Sequence, residues 1–118
     1  MFLVVAANSP SVDALLTDMS RWRSPMLKVE LMALAVIAGG PVSQRAILEA
    51  GSEIISRLRE TGGLLSGEDT ALALAFLDAA RQAGTSDFLR PCAEVARLSR
   101  DEKVVKAARE AAAAASRS

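Results

Sequence analysis

The 118-residue chain contains no histidine and no tyrosine, and Cys92 is its single cysteine. Ser-His-Asp and Cys-His nucleophilic systems both need a histidine, so this sequence cannot build either one. A lone cysteine cannot form an intrachain disulfide, and Cys/His zinc sites are excluded within one chain. We therefore predict a protein that is not an enzyme, with no catalytic residues, no cofactor and no bound metal.

An excess of charge of one sign is also missing. Lys+Arg and Asp+Glu number 14 each, which leaves no overall field to attract nucleic acid or an anionic membrane. No aromatic residue accompanies the densest basic run, which consists of Arg97, Arg100, Lys103, Lys106 and Arg109, so these side chains have no stacking platform for bases. The composition therefore predicts neither a nucleic-acid partner nor a membrane partner.

Long hydrophobic runs are absent from the sequence, since none approaches the length of a membrane-spanning helix. The apolar start Met1–Ala7 lacks a basic segment and is shorter than the core of a signal peptide. The unpaired cysteine fits a reducing compartment. We therefore expect a soluble cytoplasmic protein.

The residues that are present indicate helices. Hydrophobic residues make up 51% of the chain and include 23 alanines, and N-capping serines and glycine stops alternate along it. Ser66 and Ser99, for example, each precede acidic residues in the way that starts a helix. The pattern predicts an all-α fold without a sheet, with helices at about 10–20, 25–38, 43–60, 67–83, 86–98 and 100–115. Pro91 predicts a kink or a split in the fifth of these.

A near-repeat organises the chain. The stretch Met32–Ile37 recurs forty residues later as Leu72–Leu77, and three further pairs are spaced by 41: Leu48 with Leu89, Glu53 with Glu94, and Ile54 with Val95. A period of about 40 residues with two or three helices per unit is typical of α-solenoids, whose units stack to bury their apolar faces. Such scaffolds mostly bind other macromolecules.

The helix order within one period resembles the armadillo repeat. Gln44–Gly51 resembles its first helix with the terminal Glu-Ala-Gly turn, and Glu53–Leu58 resembles its second. Pro25–Gly39 resembles the long third helix, while Pro10–Leu16 resembles another second helix. The resemblance implies a right-handed α-solenoid fragment that forms a single domain over 1–118. One complete repeat would cover about 43–83, with partial repeats on either side; the related HEAT repeat and an irregular helical bundle are the alternatives.

The armadillo register also implies a binding face. Family members that hold extended peptides carry Trp and, four residues on, Asn in the groove, whereas the matching positions here are apolar. An apolar groove fits a partner helix or a second copy of the chain better than an extended peptide. The predicted protein-binding residues are those matching positions and the residues one turn earlier on the same faces: Met32, Val36, Leu72, Phe76, Val29 and Asp69. The alternative is that Phe2–Val5 or the Ala-rich last helix covers this face.

Several residues are predicted to have structural roles. The positions that the repeat turns inward should be buried, namely Leu31, Leu34, Ile54, Leu58, Leu74, Leu77 and Val95. Cys92 should be a buried small hydrophobic residue, because its neighbours are apolar. The carboxylate pairs Glu68–Asp69 and Asp101–Glu102 fall in first turns, where capping explains them better than metal binding does.

The sequence thus predicts a non-catalytic protein–protein interaction module, a scaffold, adaptor or assembly factor that uses an armadillo-like helical face. The alternative is a self-associating structural subunit, either a homo-oligomer or part of a larger complex. An enzyme is the third hypothesis and the weakest, since the usual catalytic side chains are missing.

Overall fold

The computed structural model describes residues 25–117, which contain five α-helices, one short 3-10 helix and no strand. The helices are α1 (Pro25–Ala38), α2 (Gly40–Thr61), α3 (Gly67–Ala83), α4 (Leu89–Leu98) and α5 (Glu102–Ser116), with the 3-10 turn at Ser86–Phe88. The predicted all-α class is confirmed for this part of the chain. Five α-helices stand where six were predicted for the whole sequence, and the helix expected at 10–20 lies outside the described residues.

Glycines end three of the helices. α1 ends at Ala38, one residue before Gly39, whose φ of 65° is left-handed. Gly62 after α2 and Gly84 after α3 are also left-handed, and their amides donate to Leu58 and Ala80. Because an L side chain is strained at such angles, glycine is the residue that ends a helix in this way.

Helix α3 is capped by a serine at its start, whereas α5 is capped by an aspartate. Ser66 Oγ accepts a hydrogen bond from the amide of Asp69 at 3.2 Å, as its sequence context predicts. At α5 the cap is Asp101, whose Oδ1 accepts from the Lys103 amide at 2.9 Å. Ser99 instead accepts from the amide of Asp101 at 3.1 Å, so α5 begins two residues later than a cap at Ser99 predicts.

The split around Pro91 occurs earlier than predicted. The 3-10 turn ends at Phe88 and α4 begins at Leu89, so Pro91 lies in the first turn of α4. An amide in a first turn has no partner within the helix, and a proline there breaks no hydrogen bond. The change from 3-10 helix to α-helix therefore comes before the proline and not at it.

Helix α2 is a single helix of 22 residues, in contrast to the two helices that the armadillo register implies over this stretch. The expected break was the Glu-Ala-Gly turn ending at Gly51, but Gly51 is helical and buried. The ring of Phe76 on α3 packs against it, and this contact requires a residue without a side chain at position 51. Helix α2 thus continues through Gly51, where a turn was predicted, and α3 packs against it there.

The helices form two rows. α1, α3 and α5 lie side by side in that order, while α2 and α4 pack against each other and against the first row. The Cα atoms span 17 Å in the thinnest direction, which is the thickness of two packed helices. Consecutive helices therefore alternate between the rows.

The core lies between these rows and contains six of the seven predicted residues: Leu31, Leu34, Ile54, Leu58, Leu77 and Val95. The exception is Leu74, which is only partly buried. It lines a shallow hollow beside Ala107 and Glu110 of α5, at the edge of the α3–α5 contact. Its place in the core is taken by Leu72, Ala73 and Phe76, which are fully buried on α3.

Candidate protein-binding groove

A groove with a volume of about 410 Å³ runs between α1 and α3. Its α1 wall consists entirely of apolar residues, and its α3 wall combines alanines with two polar residues. The lining residues are Val29, Met32, Ala33, Val36, Ile37, Ala75, Asp78, Ala79 and Gln82.

The α1 wall presents apolar side chains to the outside. Ile37 is 69% exposed and Ala33 is also exposed, while Val29 and Val36 are half-buried. Helix α1 carries two charged residues, Lys28 and Glu30, and neither lines the groove. Exposed and half-buried apolar side chains therefore lie together on this face of α1.

The α3 wall has a polar rim. Arg81 Nη2 donates to Asp78 Oδ1 at 2.6 Å, and Gln82 Nε2 donates to Asp78 Oδ2 at 2.8 Å. Ala75 and Ala79 lie on the same side of the helix and keep the groove open because their side chains are small. The charge of Asp78 is thus compensated at the edge of an otherwise apolar surface.

Three of the six residues that the sequence predicts for protein binding line the groove, and the other three do not. Val29 and Val36 line the groove, and Met32 lines it from a buried position, with 1% of its surface exposed. Leu72 and Phe76 do not line it, because they are fully buried and the Phe76 ring faces Gly51 on α2. The face of α3 that meets the groove is instead the row Ala75, Asp78, Ala79 and Gln82.

One of the two covers considered for this face, the Ala-rich last helix, lies among the described residues. Phe2–Val5 lies outside the described residues. The Ala-rich α5 packs against α3 and α4 and buries Ala108, Ala111 and Ala115 there, and it lines no part of the groove. What covers Phe76 is therefore α2, the neighbouring helix of the other row.

Polar residues on α3 could have revealed its groove face. Asp78 and Gln82 are four residues apart, and Ala75 and Ala79 follow the same helical spacing. Aligning Met32 with Leu72 through the forty-residue repeat selects the large apolar side chains, which are the ones that helix packing buries.

Asp69, the sixth predicted residue, belongs to a chain of ion pairs. Lys28 Nζ donates to Glu53 Oε2 at 2.6 Å, and Arg57 bridges Glu53 and Asp69 at 3.3 Å each. Lys28 is 3% exposed and Asp69 is 9% exposed, so both ends of the chain are buried. Because the four charges alternate in sign and join α1, α2 and α3, they orient these helices and leave Asp69 with a structural role.

A second ion-pair cluster joins α2 to α4. Arg97 donates to both carboxylate oxygens of Glu94, at 3.0 and 2.8 Å, and Arg59 donates to one of them at 3.2 Å. The hydrogen bond from Arg97 is the main cause that lowers the pKa of the Glu94 carboxyl below its usual value. This cluster lies on the surface and faces solvent.

The remaining reactive side chains have structural surroundings. Cys92 is fully buried, and burial raises the pKa of its thiol to about 11. Within residues 25–117, no three His, Cys, Asp or Glu side chains lie close enough together to hold a metal ion. None of the helices in this part of the chain combines the length and the apolar character that crossing a bilayer requires.

No protein-family model, curated protein or solved structure matches the chain.

Proposed function

We propose that this chain is a non-catalytic protein–protein interaction module, an adaptor or assembly factor whose α1/α3 groove binds a helix or subunit of a protein partner. The observation that carries the proposal is the apolar α1 wall, where Ile37 is 69% exposed beside the half-buried Val36. Apolar side chains that stay in water raise the free energy of an isolated domain. A partner that covers them lowers it.

The order of the helices supports an armadillo- or HEAT-like stack. Consecutive helices alternate between two rows, as they would if two-helix units were stacked side by side. The uninterrupted α2 favours the HEAT type of unit, which has no separate short first helix. In this proposal α2 with α3 is one unit, α4 with α5 is the next, and α1 ends the unit before them.

The charge balance and the cysteine content support the proposed class of partner and the proposed compartment. Positive and negative residues balance at 14 each, which favours a protein partner over nucleic acid or an anionic membrane. We assign the protein to the cytoplasm, because an unpaired and fully buried cysteine suits a reducing compartment.

A self-associating subunit is the second candidate. Met26 and Ile37 are 51% and 69% exposed and both lie on α1, at opposite ends of it. A second copy could bury α1 against the same helix of the first copy in a two-fold interface. The partner would then be the chain itself, and the groove would be the centre of a homo-oligomer.

The test compares two substitutions that place the same acid on an apolar surface position. Ile37→Asp puts a charge into the groove, whereas Leu64→Asp puts one into the α2–α3 loop at a residue that is 61% exposed. Both full-length variants should keep the helical circular dichroism of the natural chain. Light scattering after size exclusion then measures self-association, and quantitative pull-down from the native organism measures partner capture.

We expect Ile37→Asp to abolish whichever association the natural chain shows, and Leu64→Asp to retain it. Loss of self-association would assign the groove to a second copy of the chain. Equal association by both variants would refute the groove as the binding surface.

A further inference from the structure

Two further hollows continue the α1/α3 groove toward α5. The first, which we call the α3/α5 hollow, has a volume of about 250 Å³ and shares Asp78 with the groove. The second, the α5 hollow, has a volume of about 480 Å³ and shares Glu110 with the first. Because α1, α3 and α5 lie side by side in that order, the groove and the two hollows form one surface that crosses all three helices.

The character of this surface changes from one end to the other. In the described lining of the α1/α3 groove, Asp78 is the single charged residue. The α3/α5 hollow combines two leucines with the charged side chains of Asp78, Arg81 and Glu110. The α5 hollow has one apolar residue, Val105, among five charged ones. A molecule that follows the surface from α1 to α5 therefore passes from an apolar environment into a charged one.

Positive charge predominates at the α5 end. Arg100, Lys106 and Arg109 line the α5 hollow and are exposed. Within the part of the chain that the structure describes, none of these three side chains forms an ion pair. The two carboxylates in the lining, Glu102 and Glu110, do not outnumber them. The three cations are therefore available to the carboxylates of a partner.

One partner helix is long enough to contact both ends of the surface. Packed helices lie about 8–10 Å apart, so the distance from the α1/α3 groove to α5 is about 15–20 Å. An α-helix rises about 1.5 Å per residue and covers this distance with about 10–13 residues. A single segment of ordinary helical length can thus bind the apolar groove and the α5 hollow together.

A polypeptide fits this surface better than a nucleic acid does. A nucleic acid carries a phosphate in every nucleotide, and the phosphates in the groove would lie against an apolar wall without a positive partner. A polypeptide can place apolar side chains in one part and carboxylates in another. Carboxylates form charge-assisted hydrogen bonds with arginine and lysine, so an acidic part matches the α5 hollow.

We propose that the groove binds a helical segment of a partner polypeptide that has an apolar part and an acidic part. The apolar part lies between α1 and α3, and the acidic part crosses α3 and bonds Arg100, Lys106 and Arg109 in the α5 hollow. The inference rests on the proposed function and specifies the chemistry of the partner.

The test compares two synthetic peptides by fluorescence anisotropy with the full-length chain. Both contain the helix-forming sequence Leu-Leu-Ala-Ala-Leu-Leu-Ala-Ala-Leu-Leu, followed by four glutamates in one peptide and by four lysines in the other. At low salt we expect the glutamate peptide to bind at least about ten-fold more tightly, because its charge complements the α5 hollow. The preference should shrink in about 0.5 M NaCl, which screens exposed charges. Equal binding of the two peptides, or no saturable binding of the glutamate peptide, would overturn the proposal.

A matched pair of charge reversals locates the acidic part. Arg109→Glu changes the α5 hollow, whereas Arg90→Glu makes the same change at an exposed position of α4 that lines neither the groove nor the two hollows. Both variants should keep the helical circular dichroism of the natural chain. Arg109→Glu should weaken binding of the glutamate peptide at least about three-fold, and Arg90→Glu should leave it unchanged. Equal effects of the two variants would refute the α5 hollow as the acidic contact.

The proposed function can fail separately from this proposal. Ile37→Asp changes the apolar groove and should weaken both peptides. If Ile37→Asp weakens both peptides but the glutamate and lysine peptides bind equally, the groove remains the binding surface and the acidic contact is refuted. If Ile37→Asp weakens neither peptide, the groove itself is refuted.

Discussion

Gly51 lies within α2 at the point where the ring of Phe76 approaches from α3. A Cβ atom built on Gly51 would lie 2.5 Å from Phe76 Cζ and 2.6 Å from Cε1. Both residues are buried, so the ring would have to shift within the core to admit that atom. A single missing side chain thus permits the close contact between the two helices.

Gly51→Ala should lower the free energy of unfolding by about 1–3 kcal/mol, because the added methyl group overpacks the contact with Phe76. The control is Gly67→Ala at the start of α3, where a Cβ meets nothing within 4 Å. That change should be neutral or slightly stabilising. Urea denaturation of both variants measures the difference, and equal stabilities would contradict this packing.

Cys92 should behave as a core residue and not as a reactive thiol. Burial raises the pKa of its thiol to about 11, so the thiolate is scarce at neutral pH. We expect iodoacetamide to label the native chain at pH 8 only as fast as the chain unfolds, and to label the urea-unfolded chain rapidly. Rapid labelling of the native chain would show an accessible thiolate.

The raised pKa of the Cys92 thiol also makes the stability of the fold depend on pH in the alkaline range. The thiol pKa is higher in the folded chain than its ordinary value of 9.0, so the folded state holds the proton more tightly. This contribution is complete below about pH 9 and is lost as the pH rises toward 11.

The helix boundaries could be predicted from the sequence because local chemistry determines them. Gly62, Gly84 and Ser66 act through their own backbone angles or hydroxyl, whatever else the chain does. Local chemistry could not show in the same way that α2 continues through Gly51. A helical glycine costs about 1 kcal/mol by propensity, and the contact with Phe76, which the sequence does not reveal, outweighs that cost.

The cap of α3 can test whether local chemistry determines the helix boundaries. Ser66→Ala removes the hydroxyl that accepts from the Asp69 amide and should lower the free energy of unfolding by about 0.5–2 kcal/mol. Ser56→Ala, on an exposed position inside α2, should leave stability unchanged or raise it slightly. Thermal unfolding of both variants checks the prediction, and a loss at Ser56 as large as that at Ser66 would contradict it.

The two rows of helices make one cooperative core from residues far apart in sequence. Ile54 is completely buried between the rows, whereas Ile37 is 69% exposed at the groove. Ile54→Ala should lower the free energy of unfolding by about 2–5 kcal/mol, since it leaves a cavity. Ile37→Ala makes the same chemical change at the surface and should cost much less, and chemical denaturation that ranks them in the reverse order would refute this arrangement.

The core of the whole molecule was more predictable than the groove. Helical periodicity identifies Leu31, Ile54 and Leu77 as inward-facing, because burial follows the spacing of apolar side chains. The groove depends on which face α3 turns toward α1, and the α3 face that carries Phe76 is turned toward Gly51 on α2. Val29 and Val36 of the predicted residues therefore line the groove on α1, while the residues of α3 that line it are not the predicted ones.

We proposed above that another polypeptide covers the α1/α3 groove in the cell. The most direct measurement places a photo-crosslinking amino acid at Ala33, an exposed position in the groove, and at Leu64 as the control outside it. We expect one discrete crosslinked product from position 33 and none from position 64. The mass of the product distinguishes a second copy of the chain from a different protein. Equal crosslinking from both positions, or no product from position 33, would contradict it.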